Sequence, residues 1–183
     1  FKITLQNTAL NMSFVKKGVY LISFPINLYD KSPSNNLDAN FELQKWDPGL
    51  NSYRYYYDGI NCAIDECINE ILPGQGYWLK VNTDNQILNL DGEQVDNLTM
   101  PLNSGWNMIG EPYPCQKYPF KIAHFDGYDI FDAENSDMIK GVLYGFNPDT
   151  NSYSMYFKED DMIKTKGYWI ASLANINVEF KYC

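Results

Sequence analysis

The sequence contains few of the residues that enzymes use for catalysis. It has a single histidine, His124, and no Gly-x-Ser-x-Gly segment that would present a nucleophilic serine. It also lacks a glycine-rich phosphate-binding loop and a dinucleotide fingerprint. Because no complete set of catalytic roles can be assembled, we expect a protein that is not an enzyme and needs no cofactor, with His124 in a structural role.

Basic residues and long apolar segments are also scarce. The chain has 14 lysines and arginines against 23 acidic residues, which gives a formal net charge of -9. Such a surface repels nucleic acid and anionic membranes. No segment approaches the roughly 20 continuous apolar residues of a spanning helix. We therefore expect no nucleic-acid partner and no membrane insertion.

Cysteine is rare but even in number, with four residues in 183. No CxxC pair is present, and His124 has no histidine or cysteine at ligand spacing, which disfavours a zinc site. Two disulfides in an extracellular or cell-surface protein fit better. Four cysteines allow three pairings, of which we prefer Cys62–Cys67, a small local loop, with Cys115–Cys183. The start at Phe1, without a signal segment, suggests a processed or excised chain.

Aromatic residues are abundant and favour a β fold. They make up 16% of the chain, with Tyr 15 and Phe 10, and aromatic side chains prefer strands to helices. A length of 183 residues suits one compact domain or two small ones that share a core.

An internal repeat organises the sequence. Three landmarks occur twice in the same order: a strand ending in proline, an aromatic-Asx-Pro-x-x-Asn-Ser-Tyr turn, and a Gly-Tyr-Trp-aliphatic strand. They are Gly18-Val-Tyr-Leu-Ile-Ser-Phe-Pro25 with Gly105-Trp-Asn-Met-Ile-Gly-Glu-Pro112, Trp46–Tyr53 with Phe146–Tyr153, and Ile71–Leu79 with Met162–Ile170. The turn formers predict a hairpin in each copy, near residues 41–58 and 141–158.

The repeat predicts a mainly β fold of two pseudo-repeated antiparallel units, packed as a sandwich or barrel-like domain with one or two short helices. The units are 16–97 and 98–183, preceded by residues 1–15 as a strand or assembly segment outside the repeat. Helices are expected at Ala63–Ile71 and Phe120–His124. The apolar runs Val19–Phe24 and Trp106–Ile109 predict deeply buried central strands.

Alternation in the strands after the hairpins predicts which side chains face the core. In the first copy we assign Tyr53, Tyr55 and Tyr57 to the core face, and in the second Tyr153, Met155 and Phe157. Tyr56 and Tyr156 are then left among polar neighbours on the opposite face. With Trp106, they are the candidate ligand-binding residues, because sugar C–H faces stack on exposed aromatic rings. Trp46, Trp78 and Trp169 are aromatic in both copies and are interpreted as packing residues.

These motifs resemble tandem β-repeat modules of bacterial secreted and cell-surface proteins. The Gly105-Trp-Asn-Met-Ile-Gly-Glu-Pro112 strand, the later hairpin and the Gly-Tyr-Trp strand carry the resemblance, which covers roughly residues 16–182. It implies an accessory, non-catalytic unit. The first copy departs from the pattern, with Val19-Tyr20 in place of Trp-Asn.

An acidic run specific to the second copy, residues 126–137, offers oxygen ligands suited to calcium. The candidate ligands are Asp126, Asp129, Asp132, Glu134 and Asp137, with a solvated acidic loop as the simpler interpretation.

The leading functional hypothesis is a non-catalytic extracellular module that joins a surface assembly, an appendage, layer or multidomain adhesin, by contacts with other surface proteins or copies of itself. The alternative is a carbohydrate-binding module. A glycoside hydrolase is a weaker third, since every acidic chain has carboxylates to pair.

Overall fold

Antiparallel strands dominate the computed structural model, which describes residues 7–57 and 66–182. The first half contains β1 Asn7–Phe14, β2 Gly18–Ser23, β3 Asn27–Leu28, α1 Pro33–Asn36, β4 Phe41–Asp47, β5 Ser52–Tyr56, β6 Gly76–Val81 and β7 Gln86–Glu93. The second half contains β8 Asn97–Leu102, β9 Gly105–Gly110, β10 Lys117–Pro119, a 3₁₀ turn Phe120–Ile122, β11 His124–Phe125, β12 Tyr128–Asp129, α2 Ile130–Asn135, β13 Ile139–Asn147, β14 Ser152–Phe157, β15 Asp161–Ile163, β16 Gly167–Ser172 and β17 Ile176–Lys181. The predicted β-rich class is therefore confirmed.

Each half has two principal sheets around a hydrophobic core. In unit 1 the outer sheet has the order β1-β7-β3 and the inner sheet β2-β6-β4-β5. In unit 2 the outer sheet has the order β12-β11-β17-β8 and the inner sheet β14-β13-β16-β9, with β10 and β15 forming a small extra sheet. The inner sheets lie against each other through β2 and β6 of unit 1 and β9 and β16 of unit 2.

The inner sheets match residue by residue, which supports the repeat. Their strand register is the same: Leu43 is opposite Tyr56 and Leu79, as Leu143 is opposite Tyr156 and Ile170. The tyrosines of the Gly-Tyr-Trp motifs also repeat a contact. The hydroxyl of Tyr77 accepts a hydrogen bond from the Leu72 amide at 2.9 Å, and that of Tyr168 accepts one from the Ile163 amide at 2.8 Å.

The N-terminal segment, predicted as a strand or an assembly segment, forms a strand that pairs within unit 1. β1 pairs with β7 along residues 7–14, as β8 pairs with β17 in unit 2. Leu10, Met12 and Phe14 are buried in the first core. Because this strand is paired and buried, it is an internal part of the fold. The chain passes from unit 1 to unit 2 between β7 and β8.

The core face of β5 and β14 is opposite to the predicted one. Tyr56 and Tyr156 pack against the two cores, because their cross-strand partners Leu43 and Leu143 are buried there. The other face carries the residues expected inside, and Met155 and Phe157 are 59% and 53% exposed. The alternation of side chains correctly separated the two faces of β5 and β14, but it did not show which face lies against the core.

The apolar strands expected at sheet centres are edge strands. β2 and β9 each end an inner sheet, and Val19 and Trp106 near their starts are exposed. Their second halves are buried because the other unit covers them.

Helices are short, as predicted, but only one lies where expected. The 3₁₀ turn falls within 120–124, whereas residues 66–71 are not helical and 63–65 lie outside the described residues. Among the described helices, none is long and apolar enough to cross a membrane.

Backbone hydrogen bonds join the two units directly. The Ser23 amide donates to the Thr165 carbonyl at 2.9 Å, and the Gly110 amide donates to the Gly74 carbonyl at 2.7 Å, in equivalent positions of the two copies. Gly167 and Gly76 allow this approach, since a Cβ on Gly167 would lie 2.5 Å from the Ile22 carbonyl oxygen.

We expect Gly167→Ala to destabilise the fold because the new methyl group meets rigid backbone. The free energy of unfolding should fall by about 1–3 kcal/mol, the range for overpacked sites. The control is Gly49→Ala, whose methyl group would meet only the side chain of Asp47, at 3.3 Å. Equal denaturant midpoints for Gly167→Ala and the wild type would contradict a backbone contact between units.

A buried carboxyl group marks a difference between the copies. Glu111 is inaccessible to solvent and occupies the position of Phe24 in unit 1. Its Oε1 accepts a hydrogen bond from the Tyr113 amide at 3.0 Å, and its Oε2 has no partner among the described residues. Burial raises the pKa of Glu111 to about 8 from 4.5.

Glu111→Gln should flatten the dependence of stability on pH. Below its unfolded pKa, Glu111 is protonated in both states; between about 4.5 and about 8 only the folded protein keeps the proton. The Glu111 contribution to the free energy of unfolding should fall there by about 1.4 kcal/mol per pH unit. Urea titrations of both proteins across this window test the effect, and parallel curves would rule it out.

Candidate functional site

An open aromatic groove lies between the two inner sheets. Its volume is about 610 Å³, and its lining consists of six aromatic side chains. Unit 1 contributes Trp46 and Tyr53, and unit 2 contributes Trp106, Tyr144, Tyr153 and Trp169. We call this cavity the aromatic groove.

The two repeated hairpins position three of the groove rings, Trp46 and Tyr53 in unit 1 and Tyr153 in unit 2. Trp46 is opposite Tyr53 across β4 and β5, as Phe146 is opposite Tyr153 across β13 and β14. Both turns use an Asx side chain: Asp47 accepts from the Gly49 amide at 3.0 Å, and Asn147 accepts from the Asp149 amide at 3.0 Å. The same local turn chemistry therefore delivers aromatic rings to the interface from both sides.

Steep angles between the rings give the groove its shape. Trp106 meets Trp169 at 90° and Tyr144 at 75°, with ring centroids 6.4 and 5.6 Å apart. Trp46 meets Tyr53 at 68° and Trp169 at 61°, with centroids 5.1 and 6.2 Å apart. The rings therefore pack edge to face against one another where they line the groove.

Few polar atoms line the groove. Burial and the neighbouring Tyr53 phenol raise the pKa of Tyr153, and the nearby Trp169 indole partly offsets them. Tyr153 therefore stays a neutral phenol at neutral pH, and none of the six lining side chains carries a formal charge.

Within residues 7–57 and 66–182, the groove lies on one side of the pseudo-symmetric molecule. Trp106 and Tyr144 correspond to Val19 and Gln44 in unit 1, at the same register positions of the inner sheets. Trp78 and Phe146 form the matching contact on the other side, 5.1 Å apart, without the two extra rings. The differences between the copies thus create the groove.

The predicted ligand-binding residues are not brought together. Trp106 is 48% exposed and lines the groove. Tyr56 and Tyr156 are half-buried against different cores, and Lys166 donates to the Tyr156 hydroxyl at 2.6 Å. Trp46 and Trp169, interpreted as packing residues, do pack between the units and also line the groove. Comparing outward-facing positions of the two copies would have singled out Trp106 and Tyr144.

The acidic residues at 126–137 are engaged separately. Asp129 caps α2 by accepting from the Phe131 and Asp132 amides, Asp126 accepts from the Asn177 amide, and Glu134 pairs with Lys158 at 2.6 Å. Together with Asp132 and Asp137, these acids form no group placed to hold a metal ion; nor do any other acids, histidines or cysteines in 7–57 and 66–182.

Cys67, Cys115 and the single histidine, His124, have partners within the fold. Cys67 and Cys115 are both disulfide-bonded. Cys62 and Cys183 lie outside the described residues, so the pairing stays a prediction. The His124 Nδ1 lies 3.0 Å from the Ile122 carbonyl oxygen, at the start of β11.

Comparison with protein-family models, curated proteins and solved structures gave no match to this chain. The resemblance to bacterial surface repeats stays a prediction.

Proposed function

We propose that this protein is a non-catalytic extracellular module that binds carbohydrate in the aromatic groove. The open, aromatic-lined groove between the units carries the proposal. Extracellular or cell-surface placement is part of the proposal and agrees with the even number of cysteines.

Stacking is the interaction that the groove offers to a sugar. Pyranose rings have apolar C–H faces that pack on Trp and Tyr rings, and the three tyrosine hydroxyls provide a small number of directional polar groups. Because the groove is open, the remaining sugar hydroxyls stay hydrated and are not buried without partners. This arrangement suits neutral sugars and weak, stacking-dominated binding.

Trp106→Ala should weaken glycan binding by about tenfold, or about 1.4 kcal/mol. The substitution removes the most solvent-accessible tryptophan of the groove without emptying a core. Binding of a panel of soluble neutral oligosaccharides is measured by titration calorimetry and tryptophan fluorescence.

The matched control is Tyr128→Ala, which removes an exposed aromatic ring outside the groove. Binding should be unchanged in this variant. Either the absence of binding across a broad glycan panel or equal losses in both variants would count decisively against the proposal.

A second candidate function, surface assembly, is favoured by β14. Among the described residues this strand ends its sheet and exposes Met155 and Phe157, whereas the edge of the equivalent β5 is covered where Tyr55 exchanges backbone hydrogen bonds with Glu66 and Ile68. An apolar strand edge without a covering strand is a template for pairing with another chain.

If copies pair through β14, Met155→Lys with Phe157→Lys should abolish self-association, because the charges repel across the paired edge. Sedimentation velocity over a concentration series measures this. Ile87→Lys, at another exposed apolar position on β7, is the control and should associate like the wild type. A wild-type protein that is monomeric throughout the series would contradict pairing between copies.

A further inference from the structure

We infer that the aromatic groove also binds a quaternary ammonium group, such as the trimethylammonium head of choline. This goes beyond glycan binding, because the recognised feature is a positive charge spread over methyl groups. Such a cation is attracted to the electron-rich faces of aromatic rings, most strongly to tryptophan.

The mutual orientation of the rings favours a roughly spherical cation. Rings that meet at 61–90° are not coplanar, so ring planes of different orientation line the groove. A trimethylammonium group can approach several of these rings at once. Each contact with a ring face adds electrostatic attraction, because the face of an aromatic ring is electronegative.

The polarity of the lining points to the same ligand. A quaternary ammonium group has no N–H to donate, so it leaves no donor unpaired where hydrogen-bond acceptors are scarce. The groove offers little beyond three phenols. A primary ammonium group would lose hydration here without replacement.

Charge also favours a cation. The chain carries a formal net charge of -9, and no described lysine or arginine lines the groove. The described cation–π contacts lie elsewhere, Lys158 on Phe131 and Lys166 on Tyr156. Among the described residues, the groove rings therefore have no lysine of their own to compete with a ligand.

The test compares choline chloride with 3,3-dimethylbutan-1-ol, which has the same shape but no charge. We expect the wild-type protein to bind choline at least about tenfold more tightly than the neutral alcohol, as cation–π attraction requires. Titration calorimetry with tryptophan fluorescence is the readout, with sodium chloride added to equal ionic strength. Equal affinities for both probes, or no binding of choline, would overturn the inference.

Variants that copy unit 1 locate the site. Trp106→Val and Tyr144→Gln install the residues found at the equivalent positions, Val19 and Gln44, which the same sheet geometry accommodates. Each should weaken choline binding by about tenfold. Tyr128→Gln should leave it unchanged. Choline binding that survives in both groove variants would place the site elsewhere and refute the assignment.

The outcome is separable from glycan binding, because the two ligands are titrated independently. A protein that binds glycans but not choline disproves this inference alone. A protein that binds choline but no glycan disproves the carbohydrate proposal alone.

Discussion

The backbone contact between the two units is the constraint on which the rest of the structure depends. Main-chain hydrogen bonds join Ser23 to Thr165 and Gly110 to Gly74, and Gly76 and Gly167 provide the clearance. This contact sets the inner sheets against each other, so part of the second aromatic face of each sheet packs on the other unit. The Trp46–Trp169 and Trp78–Phe146 ring contacts follow from that placement. Neither a single unit nor two loosely linked units would form the aromatic groove.

The sequence predicted the parts of the fold that local chemistry determines. Turn formers around Pro48 and Pro148 predicted both hairpins, since the Asx side chains bond to backbone within the turn itself. It did not predict the core side of β5 and β14, because both faces of these strands carry aromatic residues. Cross-strand pairing of Tyr56 with Leu43 decides the side, and that pairing depends on tertiary register. The partner of β1 was also not predicted, because β7 lies about 80 residues away in sequence and no local pattern links the two strands.

The groove could not be predicted from the sequence, because strands distant in the chain form it together. Its rings come from β4 and β5 in one unit and from β9, β13, β14 and β16 in the other, so no local segment contains the site. Trp106 was predicted as an exposed aromatic residue, and it stands where the first copy has Val19. Tyr144 carries the same signal against Gln44, but it becomes visible only when the hairpins are aligned and their outward face is known.

The positions where the two copies differ can be compared with the positions where both are aromatic. Residues that hold the units together, such as Trp46 with Trp169 and Trp78 with Phe146, are aromatic in both copies and cover one another. Trp106 and Tyr144 have smaller or more polar counterparts, and unit 1 keeps its fold without them. Their ring area is thus additional to what the contact between units requires. Exposed apolar area has a cost in solubility and gives little stability in return. We propose that these surplus rings contact a ligand, which is why both ligand proposals depend on the two positions where the copies differ.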